Sequence, residues 1–324
     1  MFKRVLIAFI SLCLLVAACL AFVPLTPNGL VVTVPQGASL RSVAKTVAAD
    51  SAAPAWLLEA SGRLTGAAST LKAGRYTLPQ AHSALGFWQA LGAQAPEMVD
   101  IQLQEGWTFK QIRAAINAHE GLKRDTLSLT DAQLMQRLGA PDVLPEGRFF
   151  PDTYQVVQGS SDLAVYKTAF ERMKKISAKV WQERPADSPL ATVDDLINLA
   201  AIIEKETGLA LDRPKVASVF HNRLKIGMRL QTDPTVIYGM GEAYKGRIRK
   251  IDLQTDTPFN TYTRTGLPPT PIAAASEASL RAAMNPAQTD YFYFVARGDG
   301  SGGSRFSATL AQHNQAVADY LAGR

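Results

Sequence analysis

Cysteine is nearly absent. The chain of 324 residues carries two, Cys13 and Cys19, both inside an apolar run at the N-terminus. The rest of the sequence therefore has no disulfide framework and no thiolate metal site. Histidine is also scarce, and His82, His119, His221 and His313 lie far apart with no zinc-ligand spacing. There is no G-x-S-x-G, no Walker loop and no H-E-x-x-H, so no serine nucleophile, phosphate cradle or zinc-protease helix is expected. No metal and no cofactor are expected. Charged residues are only 19% of the chain, and the net charge of +6 is spread out rather than gathered in a basic run. Such a balance suits weak attraction to an anionic surface or polymer, and no nucleic acid is expected as a partner. Internal repeats and low-complexity tracts are lacking.

What is present begins with compartment. Residues 1–4 form a basic stub, and Val5 to Val23 is an uncharged, apolar run of 19 residues interrupted only by Ser11. About 20 residues cover the roughly 30 Å hydrocarbon core of a bilayer as a helix. Lys3 and Arg4 hold the stub in the cytoplasm, so a single-pass anchor with the rest of the chain outside is expected. Val16-Ala17-Ala18-Cys19 resembles a lipoprotein cleavage box, but the apolar run continues past Cys19.

A strand over Leu30 to Pro35, helices from Leu40 and Ala55, a strand over Leu71 to Leu78 and a helix from Ser83 to Leu91 follow. This order, with V-P-x-G-x-S-L before the first helix and L-K-A-G-x-Y in the second strand, resembles a LysM module over 30–95. Region 96–190 connects to a larger domain, 191–324. It holds a strand from Met98, helices from Phe109, near Thr130 and over Asp162 to Trp181, and a loop from Pro145 to Tyr154. The expected class is α+β, with an anchor helix, a small LysM-like α/β subdomain and a larger mixed catalytic domain. Gly298 to Gly303 reads as a hairpin turn before a strand at Arg305 and Phe306, not as a phosphate loop.

Thr192 to Gly208 is the central segment. Thr192 and Asp195 resemble a capping box, and Gly208 is expected to stop the helix. Glu204 lies over Ile197, Ala200 and Ala201, where burial disfavours a charged carboxylate. From the helix alone an ion pair with an arginine or lysine is the commoner use of such a residue. Glu206 is rotated by roughly 200° from Glu204 and is expected on the opposite face. Asp233 is expected to cap a short helix starting at Pro234.

Several blocks carry a resemblance: LAAIIEKET (Leu199–Thr207), KVASVFHNRL (Lys215–Leu224), GMRLQTDPTVIYG (Gly227–Gly239), FNTY (Phe259–Tyr262), GLPP (Gly266–Pro269), FFPDTY (Phe149–Tyr154) and YFV (Tyr293–Val295). In order and spacing they are similar to the endolytic murein transglycosylase family, also called MltG or YceG-like. That resemblance implies an inner-membrane enzyme facing the periplasm. It would cleave bonds between N-acetylmuramic acid and N-acetylglucosamine in nascent peptidoglycan, leave 1,6-anhydro ends and end strand elongation. It places the catalytic glutamate on Glu204, and makes glycan strands the substrate and glycan polymerases, the penicillin-binding proteins, expected partners. Gln231, Thr232, Asn260 and Tyr262 are candidates for holding sugar, with loop-stabilising hydrogen bonds as the alternative. Glu146, Asp152 and Asp233 stay open as a second carboxylate, whereas Glu206 is set aside by its face. A non-catalytic scaffold and a lysozyme-type hydrolase are the rival readings.

Overall fold

The computed structural model describes residues 7, 10, 11, 17, 18, 20–35 and 37–323. The stub 1–4, both cysteines and most of the expected anchor 5–23 lie outside the described residues. Among the described residues no helix is long and apolar enough to cross a membrane. The chain forms two compact units, one of residues 1–100, 120–123 and 155–161, the other of 101–119, 124–154 and 162–324. Most of region 96–190 thus belongs to the larger unit.

The smaller unit is built on β1 (Leu30–Val34) and β2 (Gly74–Leu78), paired antiparallel with Val32 opposite Tyr76. Alternate residues Leu30, Val32 and Val34 point into the core, the period-two pattern of a half-buried strand. Helices α1 (Leu40–Ala49), α2 (Ala55–Leu64), α3 (Ala67–Thr70) and α4 (Ala84–Ala93) complete it. Ser39 and Ser83 cap α1 and α4, accepting from the backbone N–H of Ser42 and Gly86. Gly62 is needed for packing: a Cβ there would sit 2.8 Å from the Trp88 ring and 2.9 Å from Leu40. Trp88 donates its indole N–H to the Leu58 carbonyl at 2.8 Å, so its burial leaves no donor unsatisfied.

The larger unit holds α5 (Phe109–Ala118), α6 (Asp131–Arg137), α7 (Asp162–Trp181), α8 (Val193–Glu206), α9 (Arg213–Lys225), α10 (Asp233–Met240), α11 (Lys250–Gln254), α12 (Glu277–Met284) and α13 (Leu310–Ala322), with its main core built from α7, α8, α9 and α12. Its strands β5 (Tyr293–Ala296) and β6 (Ser304–Ser307) form an antiparallel hairpin, while β3 (Met98–Gln102), paired with β4 (Thr153–Val157), has residues in each unit. The expected loop at Pro145 to Tyr154 therefore ends two residues early, where Thr153 and Tyr154 open β4.

The centre is α8. Its capping box is present in both directions, Thr192 accepting from the Asp195 N–H and Asp195 from the Thr192 N–H. Leu196 through Ile203 are buried without a break. A helix apolar on all sides is interior on all sides, and α7, α9 and α12 pack around this one. Gly208 does not end it. Thr207 turns extended, at φ −145° and ψ 129°, and its hydroxyl accepts from the Leu209 N–H at 3.1 Å. Nor is Asp233 a cap: Thr232 holds that position and Asp233 is the first residue inside α10.

Candidate active site

The two glutamates at the end of α8 occupy different environments. One Glu204 oxygen accepts from the Ser276 N–H at 2.9 Å and the Ser276 hydroxyl at 2.5 Å, and the other lies 3.7 Å from the Arg213 guanidinium. Its side chain is 6% exposed, that of Arg213 15%. Ser276 is the N-cap of α12, so the carboxylate also meets the positive end of a helix. Glu204 is thereby fully engaged in joining α8, α9 and α12, the ion-pair use that the helix alone had suggested.

Glu206 is not directed to solvent. The roughly 200° rotation from Glu204 holds, but the run before it is buried on all sides, so rotation carries Glu206 to a second, half-buried environment. Burial pushes its carboxyl from the ordinary 4.5 up to about 7, assisted by the nearby charge of Asp233 and opposed by Thr232 and Arg223. The Thr232 hydroxyl donates to it directly. The face on which Glu206 was set aside is thus itself closed in by Thr232 and Arg223. The all-round apolar run before it, LAAII, was the signal that the middle of α8 is interior on every side.

The residues around Glu206 come from a tightly specified loop. The Thr232 N–H donates to the Thr261 hydroxyl at 3.1 Å, and the Gln231 N–H to the Thr261 carbonyl at 3.1 Å. Arg223 donates to the Leu230 carbonyl at 2.6 Å and, through Nε, to the Phe292 carbonyl at 2.7 Å. Between these clamps Gln231 takes φ +50°, the one left-handed non-glycine among the described residues. Such a conformation persists only where neighbours over-determine it, commonly at functional sites. Tyr262 donates its hydroxyl to Asp233 at 2.6 Å, placing a second carboxylate beside the first.

Of the four sugar-holding candidates, the fold gathers Gln231, Thr232 and Tyr262 near Glu206. Asn260 is 1% exposed and pins its own loop, donating to the Thr255 carbonyl at 2.7 Å and accepting from the Tyr262 N–H at 2.8 Å. Asp152 pairs with Arg172 at 2.5 Å. His221 is buried against the Ala283 carbonyl at 2.7 Å, so it serves packing.

Glu146 forms part of a separate cleft of about 640 Å³, lined by Phe109, Asn117, Leu144, Tyr238, Phe259 and Thr270 among others. Its carboxyl accepts from the Phe109 N–H at 3.0 Å and the Tyr238 hydroxyl at 3.0 Å. Burial still outweighs these bonds and pushes it up to about 7.

The YceG-like family model matches residues 32–319, spanning both units and every site residue described above. The chain belongs to the YceG-like family. The endolytic murein transglycosylase of Bacillus subtilis (strain 168) is 39% identical over 179 residues, 55% of this chain and 49% of that one. The endolytic murein transglycosylase of Streptococcus pneumoniae serotype 2 is 26% identical over 284 residues, 78% and 51% of the two chains. The chain thus spans about half the length of these relatives. A 2.6 Å crystal structure of a YceG-like protein from Listeria monocytogenes is 29% identical, with a TM-score of 0.57 over 89% of this chain and 98% of that one. The mixed α and β architecture expected from the sequence is that of the YceG-like fold.

Proposed function

We propose that this protein is an endolytic lytic transglycosylase of peptidoglycan, with Glu206 rather than Glu204 as its acid and base. The observation that carries this is a buried carboxyl poised near pH 7 beside Thr232, Asp233 and Tyr262. A general acid works best when its pKa lies near the working pH. Glu204 instead ties helices together, one oxygen accepting from Ser276 and the other facing the Arg213 guanidinium at 3.7 Å.

In the reaction, protonated Glu206 gives its proton to the oxygen joining N-acetylmuramic acid to N-acetylglucosamine, and the C1–O bond breaks. The muramyl C6 hydroxyl attacks C1, forming the 1,6-anhydro ring, and its proton returns to the Glu206 carboxylate. One carboxyl thus ends as it began and no water is consumed. Thr232 fixes the carboxyl's orientation. Asp233, held by Tyr262, supplies negative charge beside the positive character that develops at C1.

The apolar run 5–23 would tether the enzyme as a single-pass anchor in the inner membrane, with both units in the periplasm. The smaller unit, with its strand–helix–helix–strand order, is read as a LysM-like module. An enzyme so placed would cut nascent strands and end their elongation beside the polymerases that make them.

The test is digestion of purified glycan strands by wild type, Glu206→Gln and Glu204→Gln, with product masses. Anhydro ends from wild type and none from Glu206→Gln are expected. Reducing ends would replace the lyase by a lysozyme-type hydrolase using Asp233. Unimpaired release of anhydro products by Glu206→Gln would overturn the assignment.

A further inference from the structure

The hairpin of β5 and β6, with the face of α13 beside it, encloses a groove that the proton transfers just described leave unused. It consists of two adjoining cavities of about 540 and 530 Å³, which share Tyr291, Arg305, Phe306 and Ala316 as walls. Each falls within the roughly 300–1,000 Å³ of a small-molecule site. The shared floor is aromatic, the Tyr291 and Phe306 rings stacking at 5.7 Å and 24°. The glycine-rich turn between the strands is packed in place: a Cβ on Gly298 would sit 2.8 Å from the Tyr320 ring.

The first cavity is lined by Lys215, Arg297 and Arg305 against Asp299 and Asp319. Asp319 is taken by Arg305 at 2.7 Å and Gln315 at 2.8 Å, and Asp299 accepts from the Ser301 N–H at 2.9 Å within its own turn. Two cations remain without a close carboxylate. Lys215 lies 4.0 Å from Asp212, at the limit of an ion pair, and its ammonium stands 5.6 Å over the Phe306 ring. Arg297 donates from Nε to the Ser304 carbonyl at 3.1 Å, and its two terminal nitrogens have no partner among the described residues. Such a guanidinium edge binds a carboxylate through two parallel bonds. The carboxylates on the walls disfavour a doubly charged anion against a singly charged one.

The groove is held in fixed register with the Glu206 site. Arg223 binds the Phe292 carbonyl, beside Tyr291, and the Leu230 carbonyl, beside Gln231, while Asn222 donates to the Tyr291 carbonyl at 2.9 Å. Lys215 lies eight residues before Arg223 on α9, about 12 Å at 1.5 Å per residue. An extended peptide of five residues reaches at most about 18 Å.

We propose that this groove binds a short peptide by its terminal carboxylate, Arg297 taking the carboxylate bidentately and Lys215 pairing with it, while the peptide backbone crosses the Tyr291–Phe306 floor. Asp290, exposed and lining only the second cavity, accepts from peptide N–H groups. The identity of the peptide rests on the peptidoglycan reading above: it is the stem peptide borne by muramic acid. A site for the peptide thus accompanies the site for the sugar.

The test is titration calorimetry of the full chain with a muramyl pentapeptide, with the same compound amidated at its terminal carboxylate, and with inorganic phosphate. The free acid should bind about tenfold more tightly than the amide, the worth of one charge-assisted contact. Arg297→Gln, at an exposed position beyond the end of β5 where folding is not at stake, should weaken the free acid about tenfold and leave the amide unchanged. Lys215→Gln should weaken it about threefold, as fits a single ion pair open to water. Equal affinity for acid and amide, or an Arg297→Gln protein indistinguishable from wild type, would overturn the proposal. Phosphate bound as tightly as the peptide acid would overturn it as well, by showing an anion site with no preference for peptide. The muramyl peptide holds no bond between sugars, so its binding is read apart from cleavage. Failure of the wild type to cut any glycan strand would instead overturn the glycan-cleaving reading and leave the measured affinity for an acidic peptide standing.

Discussion

Thr232 donates its hydroxyl to the carboxyl of Glu206, bringing together the end of α8 and the cap of α10. That bond favours the ionised form and so opposes the burial that raises the glutamate. In Thr232→Val the opposition is lost while the backbone N–H of the residue can still reach Thr261. The alkaline limb of the pH–rate profile should move upward, and turnover near neutrality should fall by about tenfold as the carboxyl loses its orientation. An unmoved limb would show that Thr232 does not tune the acid.

Glu206 should reduce stability while serving catalysis. Its folded value, about 7, lies above the ordinary 4.5, so between these values the folded protein holds more protons than the unfolded chain. Stability linked to this group is then fully present below about 4.5 and is lost as pH rises through 7. At 1.36 kcal/mol per unit the loss is roughly 3 kcal/mol. Glu206→Gln keeps an acceptor for Thr232 and removes the titration. It should therefore unfold at higher urea than wild type at pH 8, the gap closing as pH is lowered toward 4.5.

Glu204→Gln should act in the opposite sense. It leaves the Arg213 guanidinium, 15% exposed, without its carboxylate. Removing one partner of a buried pair costs about 3–5 kcal/mol, and the lower end applies here because the 3.7 Å contact is long and water still reaches it. Urea unfolding should record that loss, while activity per folded molecule, measured in the cold, stays within about tenfold of wild type. Complete loss of turnover in a fully folded Glu204→Gln protein would return the acid role to that residue.

Gln231→Gly relieves the left-handed backbone at φ +50°. A non-glycine residue there costs about 1–2 kcal/mol, and glycine's greater freedom when unfolded returns about half. The variant should be more stable by up to about 1 kcal/mol and should lose affinity for glycan, since the exposed amide at the mouth of the site is gone. A stabilised variant with an unchanged KM would mean that Gln231 touches no sugar.

Much of the fold was legible because local chemistry marks element boundaries. Ser39, Ser83, Thr108 and Thr192 each open a helix where a cap residue precedes an apolar period, and α7 runs over Asp162–Trp181 as its stripe requires. The site was less legible, and for one reason. A helical wheel presumes one wet face, which the middle of α8 does not have, so placing Glu206 opposite Glu204 said nothing of the surroundings that Thr232 and Arg223 bring from later segments. Glu146 was similarly obscured: its partners Phe109 and Tyr238 lie 37 and 92 residues away, and no local pattern announces them.

The course of the backbone through the smaller unit bears on how the protein is made. That unit takes its last segments from 120–123 and 155–161, after the chain has already contributed 101–119 to the larger one. Emerging from the ribosome at about 5–20 residues per second, it waits several seconds between its β1–β2 pair and its closing segment. During that interval α5 is synthesised, whereas α8, the centre of the larger unit's core, emerges only afterwards. The protein cannot fold as two successive beads on a string, and a nick in 124–154 would strand pieces of both units at once.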